Sequence, residues 1–99
     1  MAVAMLLEWP GADEEAYLSL LRALDLGDVM FSGAVLHLAG PTDGGWRAVD
    51  VWDSSEAFAR FRSEKLDAAM AQAGLPAPRV DVWPVFSLAT PQGRPTPQP

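Results

Sequence analysis

The chain of 99 residues has no cysteine, one histidine and one tyrosine, and its 7 basic residues are outnumbered by 13 acidic ones. Without cysteine there is no disulfide, thiol nucleophile or thiolate metal site, which fits the reducing cytoplasm where we expect the protein to act. A single histidine cannot build a multi-histidine centre, so we expect no metal. A net charge of −6 opposes binding to nucleic acid or to anionic membranes, since both require a basic surface.

Long hydrophobic runs are also missing. No stretch approaches the ~18 apolar residues of a membrane-spanning helix. The N-terminal sequence MAVAMLLEWPGADEE has no basic region before its short apolar run, so we predict no signal peptide. The remaining class is one globular domain, with 49% apolar residues. A domain of this size has little room for a cavity unless a second subunit helps to enclose it, which favours an oligomer.

Apolar stretches and turn signals predict the element order β-α-β-β-α-β over residues 1–88, followed by a Pro-rich tail over 89–99. Strands are expected over 2–9, 32–40, 46–53 and 79–88. One helix is capped by Asp13, and a second by Asp53 or Ser54. This order is the ferredoxin-like plan of an α+β domain, in which helices cover one face of an antiparallel sheet. Pro84 removes a donor from the last strand, which predicts either an edge strand or a strand with a bulge at that position.

Both faces of this sheet are predicted to be apolar. In the first strand, Met5 and Leu7 point to one side while Ala4 and Leu6 point to the other. Helices on one side alone would leave the second apolar face uncovered. A homodimer in which two such sheets pack face to face resolves the problem.

The stretch GGWRAVDVWDSSEAFARF places Trp46, Asp50 and Trp52 on one face of a strand, because side chains alternate. Trp52 directly precedes the cap of the second helix and would fold beneath it, so we expect this face to point toward the helices. A carboxylate among indoles is desolvated, which makes Asp50 a candidate for taking a proton from a substrate. The alternatives are a carboxylate that faces solvent, one that pairs with Arg47 or Arg79, and one that lies at the strand end of the dimer.

His37, in the second strand, is the other candidate catalytic residue. Alternation predicts that it shares a face with Gly33, Val35 and Ala39. Histidine titrates near neutrality, so His37 can act as a general base or as a hydrogen-bond donor to a phenolate. The alternative is a half-buried histidine that is satisfied at the sheet or dimer surface.

Aromatic residues supply the candidate binding surface. Four tryptophans in a chain of this length can line a pocket for a flat ligand, although aromatic side chains also fill ordinary cores. We expect Trp52 in the core at the strand-helix junction. Tyr17 carries the only phenol that can donate a proton. The candidate substrate-binding residues are Tyr17, Trp46, Trp52, Phe61 and Trp83.

The element order and the motif Asp50-x-Trp52-Asp53-Ser54-x-Glu56-Ala57-Phe58 resemble the antibiotic biosynthesis monooxygenase-like (ABM) domains of the dimeric α+β barrel superfamily. The resemblance covers roughly residues 2–88. It implies a homodimeric barrel with a pocket between sheet and helices in each subunit. Activities of such domains include cofactor-independent oxygenation of polycyclic phenols and quinols, haem degradation, and isomerase or cyclase reactions.

One position departs from several relatives, which carry a histidine one turn into the second helix. This chain has Phe61 or its neighbour Arg60 there, so the axial ligand that a haem would need is missing. This departure weighs against the haem-degrading alternative, and we expect no cofactor.

The functional hypothesis is a cofactor-independent monooxygenase acting on an aromatic or polyketide-like small molecule. Asp50 or His37 removes a proton from the substrate, and the resulting anion reacts directly with dioxygen. Two alternatives remain at this point: a non-oxidative cyclase or isomerase using the same proton abstraction, and a dimer that binds a small hydrophobic ligand without catalysis.

Overall fold

The computed structural model describes residues 1–27, 29–89 and 91. Its element order confirms the predicted α+β plan, with one continuous helical segment in place of the second helix. Apart from residues 89 and 91, the predicted tail lies outside the described residues. The elements are β1 (Val3–Pro10), α1 (Glu14–Leu24), β2 (Ala34–Thr42), β3 (Gly45–Trp52), α2 (Ser55–Phe61), a π-helical turn (Arg62–Leu66), α3 (Asp67–Ala73) and β4 (Arg79–Pro84).

The four strands form one antiparallel sheet in the order β2-β3-β1-β4. The last strand is therefore an edge strand, as Pro84 predicts. It ends at Pro84 rather than continuing to residue 88, although the amide of Val85 still donates to the carbonyl of Ala2 at 2.9 Å. No helix of the described ranges is long and apolar enough to cross a bilayer.

The hairpin of β2 and β3 turns at Asp43 and Gly44, where Gly44 has a φ of 78°. This two-residue turn fixes the pairing of the strands. The register continues inward without a shift until His37 lies opposite Asp50.

A β-bulge interrupts β2 near its start, between Ala34 and Leu36. Ala34 lies opposite Trp52, and Leu36 opposite the neighbouring Val51. The extra residue changes the alternation, so Ala34, and not Val35 as predicted, lies on the side of the sheet to which His37 belongs.

Both long helical segments start at side-chain caps. The Asp13 carboxylate accepts a hydrogen bond from the amide of Ala16 at 2.9 Å, as predicted. Ser54, rather than Asp53, caps α2, since its hydroxyl accepts from the amide of Ala57 at 3.1 Å. Each cap is worth about 1 kcal/mol of stability.

The π turn between α2 and α3 was not predicted. The amide of Asp67 donates to the carbonyl of Arg62, five residues back. In an unbroken α-helix, Phe61 and Leu66 would point about 140° apart. The wider turn lets both side chains face the core, where they are 8% and 4% exposed.

The core lies between the helices and one face of the sheet. Met5 and Leu7 of β1 are its most completely buried large side chains, and Trp52 of β3 packs beside them. The helices contribute Leu20, Leu24, Ala57, Phe58, Phe61, Leu66, Ala69 and Met70.

The opposite face of the sheet also carries apolar side chains, with Glu8, Arg47, Arg79 and Asp81 beside them. Leu6 of β1 lies beside Val49 of β3, and Leu38 of β2 beside Val49 on its other side. Leu38 is 54% exposed, and Trp83 of β4, opposite Ala4, is 46% exposed. The prediction of a two-faced apolar sheet is therefore confirmed.

Gly33 is expected to be intolerant of a side chain. It has a φ of 95°, and an added Cβ would lie 2.6 Å from Cβ of Ala57. We predict that Gly33→Ala lowers the free energy of unfolding by about 2–4 kcal/mol, from backbone strain and overpacking together.

Gly40→Ala is the matched control, because a Cβ there meets nothing within 4 Å. Urea unfolding of both variants gives the comparison. Equal midpoints for Gly33→Ala and Gly40→Ala would contradict the prediction.

Candidate functional site

A cavity of about 340 Å³ lies between the helices and the helix-facing side of the sheet. Its wall is mainly aliphatic and aromatic, and three ionisable side chains, Tyr17, His37 and Asp50, enter it from one end. This combination of an apolar wall and a few convergent polar groups is typical of small-molecule sites. The apolar wall includes Leu7, Leu20, Leu24, Ala48, Trp52, Phe61 and Leu66.

Four side chains form a continuous hydrogen-bonded chain at this end. The Tyr17 hydroxyl lies 2.7 Å from Nε2 of His37. Nδ1 of the same ring lies 2.6 Å from Oδ1 of Asp50, and the indole Nε1 of Trp52 donates to Oδ2 at 3.2 Å. The chain connects α1, β2 and β3, so its geometry depends on the packing of the helix against the hairpin.

Asp50 is the buried member of this chain, with 7% of its surface exposed. An isolated carboxylate in such surroundings would be costly, and hydrogen bonds to both oxygens offset that cost. His37 and Trp52 supply one bond each. Arg47 of β3 and Arg79 of β4 both lie opposite Glu8 of β1, on the face of the sheet away from Asp50. Neither is therefore the partner of Asp50 that the sequence allowed.

The partners of His37 define its tautomer. An ionised carboxylate only accepts hydrogen bonds, so Nδ1 carries a hydrogen that it donates to Asp50. In the neutral ring Nε2 is then an acceptor, and the Tyr17 hydroxyl donates to it. The His37 side chain is 39% exposed, so it bridges the buried Asp50 and the opening of the cavity.

Burial raises the pKa of Tyr17 above the ordinary value of 10.0, and the negative charge of Asp50 raises it further. Both effects disfavour the phenolate. The phenol therefore stays protonated around neutral pH and remains available as a hydrogen-bond donor.

α1 delivers Tyr17 to this position. Asp13 fixes the start of the helix, and Leu20 and Leu24, one and two turns after Tyr17, anchor the same helical face in the core. The Tyr17 ring stacks on Trp46 with centroids 5.3 Å apart. Trp46 does not belong to the cavity wall, so it supports the tyrosine from behind.

Aromatic rings enclose another part of the cavity. Trp52 and Phe61 have ring centroids 5.2 Å apart. Phe31 joins them, 5.2 Å from Phe61 and 6.4 Å from Trp52. Phe31 was missed by the sequence analysis because it lies in the irregular connection between α1 and β2, where no periodicity marks a side chain as inward-facing.

The structure brings together six of the seven candidate residues. Tyr17, His37, Asp50, Trp52 and Phe61 line the cavity, and Trp46 stacks on Tyr17. Trp83 is the exception. It lies opposite Ala4 on the other face of the sheet, so it has no contact with the cavity.

The charges around the cavity limit what it can hold. Among the described residues, its lining includes no lysine or arginine, so a carboxylate or phosphate ligand would find no permanently charged counter-ion from that part of the chain. Within the described ranges, no group of three or more His, Asp or Glu side chains is arranged to hold a metal ion.

Comparison with known proteins gives matches among solved structures only; no family model and no curated protein matches the chain. Rv0793 from Mycobacterium tuberculosis is 20% identical with a TM-score of 0.67, over 91% of this chain and 100% of the other. SnoaB, a cofactor-independent oxygenase from Streptomyces nogalater, is 18% identical with a TM-score of 0.59, over 84% of this chain and 91% of the other.

A third similar structure, from Chloroflexus aurantiacus, is provisionally assigned as an antibiotic biosynthesis monooxygenase. It is 16% identical with a TM-score of 0.61, over 86% of this chain and 94% of the other. Similarities at this level of identity establish the fold. The chain has an α+β, ferredoxin-like fold of the kind found in ABM-like domains, as the sequence motif indicated.

The alkaline titration of Tyr17 tests the geometry of the hydrogen-bonded chain. Because Tyr17 is the only tyrosine, the near-ultraviolet absorbance of phenolate reports this residue alone. We predict a midpoint above 10.0, the ordinary tyrosine value, and a lower midpoint in Asp50→Asn, since the charge that opposes ionisation is gone.

The raised pKa of Tyr17 also determines how stability depends on pH. The favourable contribution of the neutral phenol is complete below the unfolded pKa and is lost as pH rises through the higher folded pKa.

Asp43→Asn, which changes an exposed carboxylate at the hairpin turn, serves as the control for the titration and should leave the midpoint of the Tyr17 titration unchanged. A wild-type midpoint at or below the ordinary value would contradict the geometry.

Proposed function

We propose that the protein is a small cofactor-independent enzyme that removes a proton from an aromatic or polyketide-like substrate, and that it acts as a monooxygenase. The observation that carries the proposal is the Tyr17–His37–Asp50 chain at one end of an apolar cavity. A histidine oriented by a buried carboxylate is suited to proton abstraction, because the carboxylate fixes the tautomer and stabilises the imidazolium that forms.

The lining and the volume of the cavity support a proposal about the charge, shape and size of the substrate. Because the described residues place no lysine or arginine in its lining, the cavity favours an uncharged ligand. Its aromatic wall suits a flat ring system, and a volume of about 340 Å³ lies at the lower end of small-molecule pockets. A compact ring compound with a weakly acidic O–H or C–H bond meets these requirements.

The chemistry after deprotonation is oxidation by dioxygen. The substrate carbanion or phenolate gives one electron to O₂, and the radical pair combines to a peroxide at carbon. Loss of water leaves a carbonyl, so that an activated CH₂ group and O₂ give C=O and H₂O. The protein's part is to hold the substrate, take its proton and exclude bulk water from the anion. The similarity to SnoaB, an oxygenase of this cofactor-independent type, supports the proposal.

Oxygen consumption with a panel of one- to three-ring phenols and anthrone-like compounds tests the proposal. We predict that Asp50→Asn and His37→Gln each lower kcat by about 10²-fold or more, the usual contribution of a positioned general base. Asp43→Asn is the matched control, because it makes the same carboxylate-to-amide change outside the cavity.

The result also separates the alternatives. Turnover without oxygen uptake that still depends on His37 and Asp50 would identify a cyclase or isomerase. Ligand binding without any turnover, unchanged in Asp50→Asn, would identify a non-catalytic binding protein. Either result would overturn the monooxygenase assignment.

We further propose that the protein is a homodimer in which two sheets meet through their exposed faces. Leu38 and Trp83 are about half exposed there, and they lie on the same face as Leu6 and Val49. An apolar face of this kind is a typical protein interface. The helices already cover the other face, so a second sheet is the natural partner.

Native mass spectrometry or light scattering tests the dimer. The wild-type protein should have the mass of two chains. Leu38→Glu would place a charge in the interface and should shift the mass toward one chain. Leu18→Glu is the control, because Leu18 is 38% exposed on α1, on the helical side of the domain. A single-chain mass for the wild type would contradict the proposal.

A further inference from the structure

The acceptor nitrogen of His37 is already occupied. Its Nε2 lies 2.7 Å from the Tyr17 hydroxyl, and its Nδ1 is held by Asp50. A ligand in the cavity therefore cannot bind either ring nitrogen while the chain is intact. Each oxygen of Asp50 also accepts a hydrogen bond already. The Tyr17 hydroxyl lines the cavity and has no hydrogen-bond partner other than His37 among the described side chains, so its oxygen can still accept a hydrogen bond from a ligand.

We infer that Tyr17 is a catalytic residue through whose hydroxyl the substrate proton passes to His37, and that the ligand bound there is a neutral hydroxyl-bearing ring compound. This inference rests on the proposed function and gives it a proton path. In the resting state the Tyr17 hydrogen points to Nε2, so its oxygen accepts a hydrogen bond from the ligand hydroxyl.

The transfer moves two protons and no electrons. The ligand O–H bond breaks and its proton binds the Tyr17 oxygen, while the Tyr17 proton moves to Nε2 of His37. The ligand becomes a phenolate or enolate, Tyr17 remains a neutral phenol, and His37 becomes an imidazolium beside the Asp50 carboxylate. Afterwards the Tyr17 hydrogen points into the cavity and donates to the new anion.

The surroundings suit this exchange. Among the described residues, the titratable side chains that reach His37 on this side of the sheet are Tyr17 from α1 and Asp50 from β3. The carboxylate makes an ion pair with the imidazolium and opposes a phenolate on Tyr17. Tyr17 is therefore suited to conduct a proton without holding the negative charge itself.

The resting tautomer is the first test. Because His37 is the only histidine, ¹⁵N NMR of its side chain gives one pair of signals. We expect a protonated Nδ1 and an unprotonated Nε2 in the neutral ring. The reverse tautomer would mean that His37 donates to Tyr17, and it would overturn the inference.

Binding of 4-nitrophenol without oxygen is the second test, since its absorbance distinguishes phenol from phenolate. We expect binding to raise the phenolate-to-phenol ratio at least about tenfold over that of the free compound, with both nitrogens of His37 protonated. In Tyr17→Phe the ring still fills its place against Trp46, but the bridge is lost, so neither change should occur.

Equal protonation of His37 in Tyr17→Phe and wild type would show that the proton moves directly, and it would overturn the inference. A wild-type protein that does not bind 4-nitrophenol would also overturn it. Ser19→Ala, which removes a hydroxyl from the same helix outside the cavity, should behave like the wild type.

These measurements do not depend on turnover, so they separate the inference from the proposed function. Coupled protonation without oxygen uptake by any substrate would exclude the monooxygenase and retain the proton path. Oxygen uptake that persists at the wild-type rate in Tyr17→Phe would retain the monooxygenase and exclude the path through Tyr17.

Discussion

The hydrogen bond between His37 and Asp50 is the contact on which the rest of the site depends. It satisfies Asp50, the one buried carboxylate among the described residues, sets the tautomer of the ring, and leaves Nε2 facing Tyr17. The contact is a cross-strand pair, so it exists only in one register of the β2–β3 hairpin. A slip by one residue would turn Asp50 away from the histidine and leave a charge in the core without its partner.

The sequence predicted the topology well because its signals are local and mutually consistent. Alternating apolar residues, the Asp13 cap and the Asp43-Gly44 turn each identify an element or its end, and together they allow few arrangements. The pairing of His37 with Asp50 could have been predicted from the same turn, since the two residues are equally distant from it along the two strands. Alternation within each strand, taken alone, leaves them as separate candidates.

Other features could not be predicted in this way. The bulge in β2 adds one residue between Ala34 and Leu36, where the sequence has a valine that continues the strand pattern, so regular alternation predicts Val35 on the wrong face. Phe31 reaches the cavity from an irregular connection, where only the folded chain determines direction. Trp83 shows the opposite difficulty. Its aromatic side chain predicts a pocket residue, but strand pairing places it on the other side of the sheet.

The π turn has a consequence for how the cavity varies in size. Ser63, Glu64 and Lys65 within the turn are exposed. The next buried residue, Leu66, follows Phe61 at one position more than the spacing of a regular α-helix. Loss of one of the three would place the Leu66 side chain four positions after Phe61, which is the spacing of a regular α-helix. The helix would keep its face toward the sheet and shift along its axis. Loss of a single residue from the turn would therefore change the depth of the cavity at its apolar wall. The polar end would stay in place, because the register of the β2–β3 hairpin holds it.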